Sequence, residues 1–204
     1  LVPSLTFIGS VNPIAYCNAT PHFIDLNDNF MDIDYERLDN YLSSIVKFKK
    51  GKTINKNTNK VIKAIIPVHL FGHPSNMRRC LSLAKKYKLK IVEDCAEAFG
   101  SKFKNKHVGN FGSIGVISFN GNKIITTGGG GVIITNSKKL FTKINHICST
   151  AKIVKNYRIS HNKIGYNFKM PSLNASLGLA QLLKLKIFIK KKRMLYNKYV
   201  RVLK

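Results

Sequence analysis

Acidic side chains are scarce in this sequence: nine Asp and Glu stand against thirty-five Lys and Arg over 204 residues, a net charge of +26. An excess of that sign points first to nucleic acid or an anionic surface. No zinc-finger spacing, RNP-like aromatic run or basic-region heptad accompanies the lysines, which are scattered through every predicted element. Binding nucleic acid is therefore not the expected function, although a basic nucleic-acid-binding domain stays open as an alternative. Cysteine is sparse too. Cys17, Cys80, Cys95 and Cys148 lie far apart with no C-x-x-C, which argues against a disulfide framework and fits free or buried thiols in a reducing cytosol. No apolar run approaches the ~20 residues that span a bilayer, and no secretory pattern opens the chain. The expectation is a soluble, cytoplasmic protein with no membrane partner. His69 and His73 flank Gly72, but no carboxylate or third ligand stands nearby in the sequence. No metal is expected there, and His69 is assigned a structural hydrogen bond.

What is present is alternation. The 44% hydrophobic content suffices for one globular domain with its own core. Leu1-Val2-Pro3 resembles the tail of a strand that begins earlier. Thr6 to Asn18 is predicted as a helix and Thr20 to Leu26 as a strand. Asp32 or Asp34 can cap a helix whose Ile33, Leu38, Tyr41, Leu42 and Ile45 recur at helical spacing. Residues 47–60 are rich in Lys, Asn and Thr and are predicted to be an exposed, mobile insertion. Val61 to His69 is a continuous apolar run of the kind that forms a strand covered on both faces. A helix over Asn76 to Tyr87 and a strand over Lys90 to Glu93 follow. Strands alternating with helices predict a parallel, helix-covered sheet whose ligands gather at the strands' carboxyl ends. Beyond these, Lys138 to Cys148 is predicted helical and 151–163 an irregular loop. Leu173 to Leu183 is a helix with Pro171 at its first turn and Ser172 or Asn174 as alternative caps. Residues 185–204 form a long helix with a basic face.

One stretch stands apart. Between two β-prone runs, Gly115 to Phe119 and Val132 to Thr135, lie the turn Asn120-Gly121-Asn122, then Lys123, then four glycines, Gly128 to Gly131. Asn-Gly signals a turn because both residues tolerate positive φ, and consecutive glycines let the backbone approach a ligand or strand closely. Upstream, Ile91-Val92-Glu93-Asp94 is predicted as a buried strand ending in carboxylates. An acid at a strand end and a lysine on a later turn match the two polar contacts that pyridoxal phosphate (PLP) requires. The acid keeps the pyridine nitrogen protonated and the lysine forms the Schiff base.

The residues around these two extend the match. Pro3-Ser4-Leu5-Thr6-Phe7-Ile8-Gly9-Ser10, Ile65-Ile66-Pro67-Val68-His69-Leu70-Phe71-Gly72, Val92-Glu93-Asp94-Cys95-Ala96-Glu97, Ser118-Phe119-Asn120-Gly121-Asn122-Lys123 and Gly165-Tyr166-Asn167-Phe168-Lys169-Met170 follow one another along nearly the whole chain. In that order they resemble the DegT/DnrJ/EryC1/StrS family of PLP-dependent sugar aminotransferases. Within it, the likeness is to the enzymes that aminate UDP-4-keto sugars on legionaminic acid and bacillosamine routes. The resemblance implies an α/β fold: a mostly parallel sheet covered by helices, the fold-type-I (aspartate-aminotransferase-like) large domain. Residues 1–204 are then a partial PLP-binding domain, truncated at both ends, with 184–204 leading toward a smaller second domain.

The same resemblance implies roles. Lys123 carries PLP and Asp94 pairs with its ring nitrogen. Glu97 stands at the position that contacts the ring hydroxyl, where many relatives have glutamine. Ser118 and Asn120 stand near the phosphate and cofactor surroundings, Phe7 lies against the ring, and Asn167 reaches the phosphate in a neighbouring subunit. The implied reaction takes an amine from L-glutamate to the C4 ketone of a UDP- or GDP-linked 4-keto-6-deoxy sugar. Its product is a 4-amino sugar for surface polysaccharide or nonulosonic acid, and the enzyme is a homodimer. Some relatives carry histidine at the lysine position and deoxygenate instead; Lys123 favours transamination. A non-catalytic module with the same fold is the alternative.

Overall fold

A computed structural model describes residues 1–203. The structure separates into two compact units, with the division after Ser118, where composition alone suggested one domain.

The first unit contains strands β1 (Val2–Pro3), β2 (Phe23–Ile24), β3 (Val46–Lys49), β4 (Lys52–Asn55), β5 (Ala64–Ile65), β6 (Lys90–Asp94), β7 (Lys102–Phe103), β8 (Lys106–His107) and β9 (Ile114–Ser118). Among them run helices α1 (Asn12–Tyr16), α2 (Tyr35–Ile45) and α3 (Met77–Lys86). β6 is flanked by β5 and β9, both parallel to it, and β1 pairs with β2 in parallel as well. The predicted parallel sheet is thus present. Its crossover α3 starts at Asn76, whose side chain accepts from Arg79 N–H at 3.2 Å. Of the two candidate caps for α2, Asp34 is the one used; its Oδ1 accepts from the N–H groups of Glu36 and Arg37. Tyr35, Leu38, Leu42 and Ile45 of α2 and Met77, Cys80, Leu83 and Ala84 of α3 form the stripes that bury against Ile65 and Ile91 of the sheet.

In this unit three predicted elements differ most. The helix expected from Thr6 is a 3-10 turn, Ile8–Ser10, followed by α1. Pro13 at the second helical position fits only a first turn, because a proline deeper in the helix would clash with the turn before it. The run Val61 to His69 pairs as a strand only at Ala64–Ile65, with isolated bridges from Val61 to Ile54 and from Val68 to Asp94; Pro67 supplies no N–H to a ladder. Residues 47–60 lie largely in the antiparallel hairpin β3–β4 rather than in an irregular insertion. Thr53 and Asn55 are buried in it; Thr53 Oγ1 donates to the Tyr87 carbonyl, and Asn55 Oδ1 accepts from the N–H groups of Asn57 and Thr58.

The second unit starts at Phe119 and holds β10 (Gly131–Ile134), α4 (Lys138–Cys148), β11 (Lys152–Lys155), β12 (Arg158–His161), α5 (Ser172–Leu182) and α6 (Leu185–Val202). α4 has the predicted bounds and is capped by Ser137. The segment 151–163, expected to be irregular, is mostly the hairpin β11–β12, turned by Asn156 and Tyr157 at φ 47° and 62°. The helix predicted over 185–204 is α6; Lys204 lies outside the described residues. No described helix is long and apolar enough to cross a membrane.

Candidate functional site

Asp94 is the last residue of β6, at the carboxyl end of the parallel strands. Its backbone is held from both sides. The Asp94 N–H donates to Pro67 O at 2.9 Å, its carbonyl accepts from His69 N–H at 3.0 Å, and Cys95 N–H donates to Val116 O of β9 at 2.8 Å. The carboxylate is held as well: Oδ2 accepts from Ser10 Oγ at 2.6 Å and Oδ1 from Ala96 N–H at 2.9 Å. Ser10 N–H in turn donates to the Phe7 carbonyl at 3.0 Å. Ser10 therefore links the Phe7 backbone to the Asp94 carboxylate. Phe7 is 79% exposed, a whole aromatic face without a covering in this unit.

Glu97 is exposed, and its Oε2 accepts from Phe71 N–H at 2.8 Å. Phe71 and Gly72 both occupy the left-handed region, at φ 51° and 83°. A β-carbon on Gly72 would lie 3.3 Å from the Glu97 carbonyl, so the two segments approach as closely as a glycine permits. Ser118 ends β9, two residues beyond the Val116 that pairs with Asp94, and so stands at the same end of the sheet.

The other three predicted residues belong to the second unit. Lys123 N–H donates to the Asn120 carbonyl at 3.1 Å, closing the expected turn. None of Asn120, Gly121 and Asn122 has positive φ, so the turn does not use the left-handed freedom that Asn-Gly offers; Gly128 and Gly130 do, at φ 79° and 86°. Asn167 bridges Ser149 in an exposed segment, and the rings of its sequence neighbours Tyr166 and Phe168 stack on each other with centroids 4.9 Å apart.

Gln181, which has no predicted role, and Asn174, a candidate cap, secure the glycine-rich loop. Gln181 of α5 accepts from Thr126 N–H at 3.0 Å and donates back to Thr126 O at 2.9 Å, as a neighbouring strand would. Asn174 Nδ2 donates to Thr127 O at 2.6 Å, so Asn174 is no cap of α5; its N-cap is Pro171, with no side-chain bond. Helix and loop are in close contact, since a β-carbon on Gly178 would fall 2.6 Å from Thr127 Cγ2. The i, i+4, i+7 spacing of Asn174, Gly178 and Gln181 on one helix face was the available signal. Gln181→Leu keeps the volume and removes both bonds. It is expected to weaken the loop by about 1–3 kcal/mol, read as faster amide hydrogen exchange at Thr126 and Thr127; unchanged protection would show that the pair does not hold the loop.

Behind Asp94 lies a buried cluster the sequence reading did not anticipate. His69, Glu93 and Cys95 place ligand-type atoms within 4.8 Å of one another, all buried, so His69 does have a carboxylate beside it, 24 residues away in sequence. The carboxylate is already saturated. Glu93 Oε1 accepts from Phe111 and Gly112 N–H at 2.7 and 2.6 Å, and Oε2 from Gly109 N–H at 2.7 Å and His69 Nε2 at 3.2 Å. His69 Nδ1 accepts from Ser75 N–H at 3.0 Å, so its proton sits on Nε2. With these lone pairs committed, the cluster is a hydrogen-bonded knot, the structural role expected of His69. Burial works against the Glu93 charge, but His69 and the amides of Gly112, Gly109 and Phe111 together hold its carboxyl below the ordinary value. Burial raises the Cys95 thiol and pushes that of Cys80 up to about 12, so both stay protonated, inert thiols.

Comparison with known proteins adds the relatives. GDP-perosamine synthase of Escherichia coli O157:H7 is 42% identical over 199 residues, 98% of this chain and 50% of that protein. A UDP-N-acetyl-3-dehydro-alpha-D-glucosamine 3-aminotransferase of Acidithiobacillus ferrooxidans is 31% identical over 182 residues, 89% of this chain and 44% of that protein. Among solved structures, Helicobacter pylori PseC, an aminotransferase involved in the biosynthesis of pseudoaminic acid, superposes with a TM-score of 0.86 at 29% identity, covering 100% of this chain and 51% of its own. The chain spans about half the length of the curated relatives it matches. The DegT/DnrJ/EryC1/StrS aminotransferase pattern matches residues 1–204, and the chain belongs to that family.

Proposed function

We propose that this chain is the PLP-binding part of a sugar aminotransferase that moves an amino group from L-glutamate to the C4 ketone of a nucleotide-linked 4-keto-6-deoxy sugar. The observation that carries the proposal is the Asp94 carboxylate, fixed at the carboxyl end of a parallel sheet and linked through Ser10 to the backbone of the exposed Phe7, in a chain of this family. An acceptor-only carboxylate suits a protonated ring nitrogen, and an open aromatic face suits a planar ring, so the residues present fit PLP. Bound PLP supplies an electron sink at the carbon that gains or loses the amino group.

The chain's own residues supply the rest. Lys123 holds the cofactor covalently and, once an amino donor displaces it, carries the proton to and from the substrate carbon. Asp94 keeps the ring nitrogen protonated, a stabilisation that matters most as negative charge develops. Phe7 packs on the ring, Glu97 faces the ring hydroxyl, and Ser118 and Asn120 attend the phosphate side. Asn167 completes the site of a second copy in a homodimer. Residues 1–204 form part of the large domain, with α6 leading toward a smaller one, in a cytoplasmic enzyme of polysaccharide or nonulosonic-acid synthesis. No Asp or Glu follows Glu97 in the sequence, so the ionisable side chains from residue 98 onward add positive charge, a field that favours an anionic sugar nucleotide.

The test is a mass spectrum of GDP- and UDP-linked 4-keto-6-deoxy sugars after incubation with the PLP-loaded protein and L-glutamate. The expected product has C=O replaced by CH–NH2, with one 2-oxoglutarate released per amino sugar. Identity to GDP-perosamine synthase favours the GDP sugar. Failure of both ketones to gain nitrogen under conditions where PLP is bound would overturn the substrate assignment.

A further inference from the structure

Asp94 stands where a carboxylate is not oriented by its backbone alone, because the terminal torsion of aspartate is broad. Two donors settle its rotamer, Ala96 N–H on Oδ1 and Ser10 Oγ on Oδ2. The amide is local and follows from the chain's turn after β6. The hydroxyl is not: Ser10 is 84 residues away in sequence, in the 3-10 turn Ile8–Ser10, and is itself buried. At 2.6 Å the contact has the length of a hydroxyl donating to a charged carboxylate. Serine has one hydroxyl proton, and here Asp94 receives it, so the 2.7 Å contact between Ser10 Oγ and Thr6 Oγ1 requires Thr6 to be the donor. The hydrogen bonds therefore run one way, from Thr6 to Ser10 to Asp94, and end on a side chain to which the family's chemistry is assigned.

Resting on the reading of Asp94 given above, we propose that Ser10 is a positioning residue, supported by Thr6, whose hydroxyl fixes the Asp94 carboxylate in the orientation that meets the cofactor's ring nitrogen. Ser10 itself touches neither substrate nor reacting atoms in this assignment. Its contribution is to hold one carboxylate oxygen so that the other groups of the site find it in one place. Thr6 contributes by occupying the Ser10 lone pair and so directing the Ser10 proton at Asp94.

The test uses the protein loaded with PLP carrying nitrogen-15 in its ring. In the unsubstituted protein the ring nitrogen is expected to give a pyridinium-type chemical shift, and Asp94→Asn should move it toward neutral pyridine. Ser10→Ala is expected to move it the same way and to slow single-turnover conversion by L-glutamate about tenfold, and Ser10→Thr, which keeps a hydroxyl, should restore both. Thr6→Val, which leaves Ser10 in place, should give a smaller shift in the same direction and is the variant to read if Ser10→Ala does not fold. A purely structural role would lower the melting temperature and leave the nitrogen signal where it was. A folded Ser10→Ala, or Thr6→Val in its place, with an unaltered signal and rate overturns the Ser10 assignment alone. A signal that Asp94→Asn does not move overturns the Asp94 reading, and this inference with it.

Discussion

Lys123→Ala is expected to leave a folded protein that borohydride no longer locks to PLP and whose transamination falls by at least roughly 10²–10⁴-fold, the range a single positioned acid–base group supplies. The unsubstituted protein, reduced and digested, should yield one labelled peptide, with the label on Lys123. Lys123→Arg is the sharper companion. It keeps the positive charge and a long stem, so a lysine that served only as surface charge would survive the exchange; a lysine that must form a covalent bond would not. The prediction draws on the local architecture. Lys123 follows a turn closed on the Asn120 carbonyl, and the adjoining strand-to-loop segment is tied by Phe119 N–H to Gly130 O at 2.9 Å and Thr127 N–H to Phe119 O at 3.0 Å. Gln181 and Asn174 hold the same loop from α5. A lysine on a turn next to so well-tied a segment has a defined point of origin, which covalent catalysis needs. A label found on another lysine, or undiminished turnover in either variant, would remove Lys123 from the role.

What was legible in the sequence follows a physical division. Helices whose apolar residues repeat at helical spacing and begin at a capping side chain were readable: α4 has the predicted ends, and α3 starts at its asparagine. The strand ending in Asp94 was readable because a buried parallel strand is a short apolar run. What depends on partners far along the chain was not. Thr53 and Asn55 looked like residues of an exposed insertion, because nothing local reveals that the Thr53 hydroxyl finds the Tyr87 carbonyl or that Asn55 caps its own turn. The hairpin β11–β12 was hidden for another reason. Its turn places Asn156 and Tyr157 at positive φ, and a tyrosine there is not a turn signal. Around the candidate site, the residues bearing family motifs were readable as candidates, whereas the bonds that Ser10, Asn174 and Gln181 make to Asp94, Thr127 and Thr126 appear only when the chain is folded.

Glu93→Ala is expected to be the most damaging single change to stability, costing about 3–5 kcal/mol because several buried donors lose their acceptor at once, each worth about 1–3 kcal/mol, out of the ~5–15 kcal/mol that a domain usually has. Glu93 is fully buried, and its loss leaves the N–H groups of Gly109, Phe111 and Gly112 and the His69 Nε2–H without their acceptor. Glu93→Gln tests whether charge or shape is at stake. If Oε1 keeps the bonds from Phe111 and Gly112, the new amide group faces Gly109 N–H and His69 Nε2–H, donor against donor. His69 cannot resolve the conflict by moving its proton, because Nδ1 is already the acceptor for Ser75 N–H. Glutamine should therefore cost about 1–3 kcal/mol despite its matching volume. The pH dependence has a definite sign. Because the folded carboxyl is held below its ordinary value, its contribution is complete above the unfolded value near 4.5 and fades as pH falls through the lower folded one. Chemical denaturation from neutral to acid pH should thus show the difference between wild type and Glu93→Gln narrowing in the acid range. A difference that stays constant with pH, or a glutamine variant as stable as wild type, would mean that the buried charge is not what binds the 109–112 segment beneath Asp94.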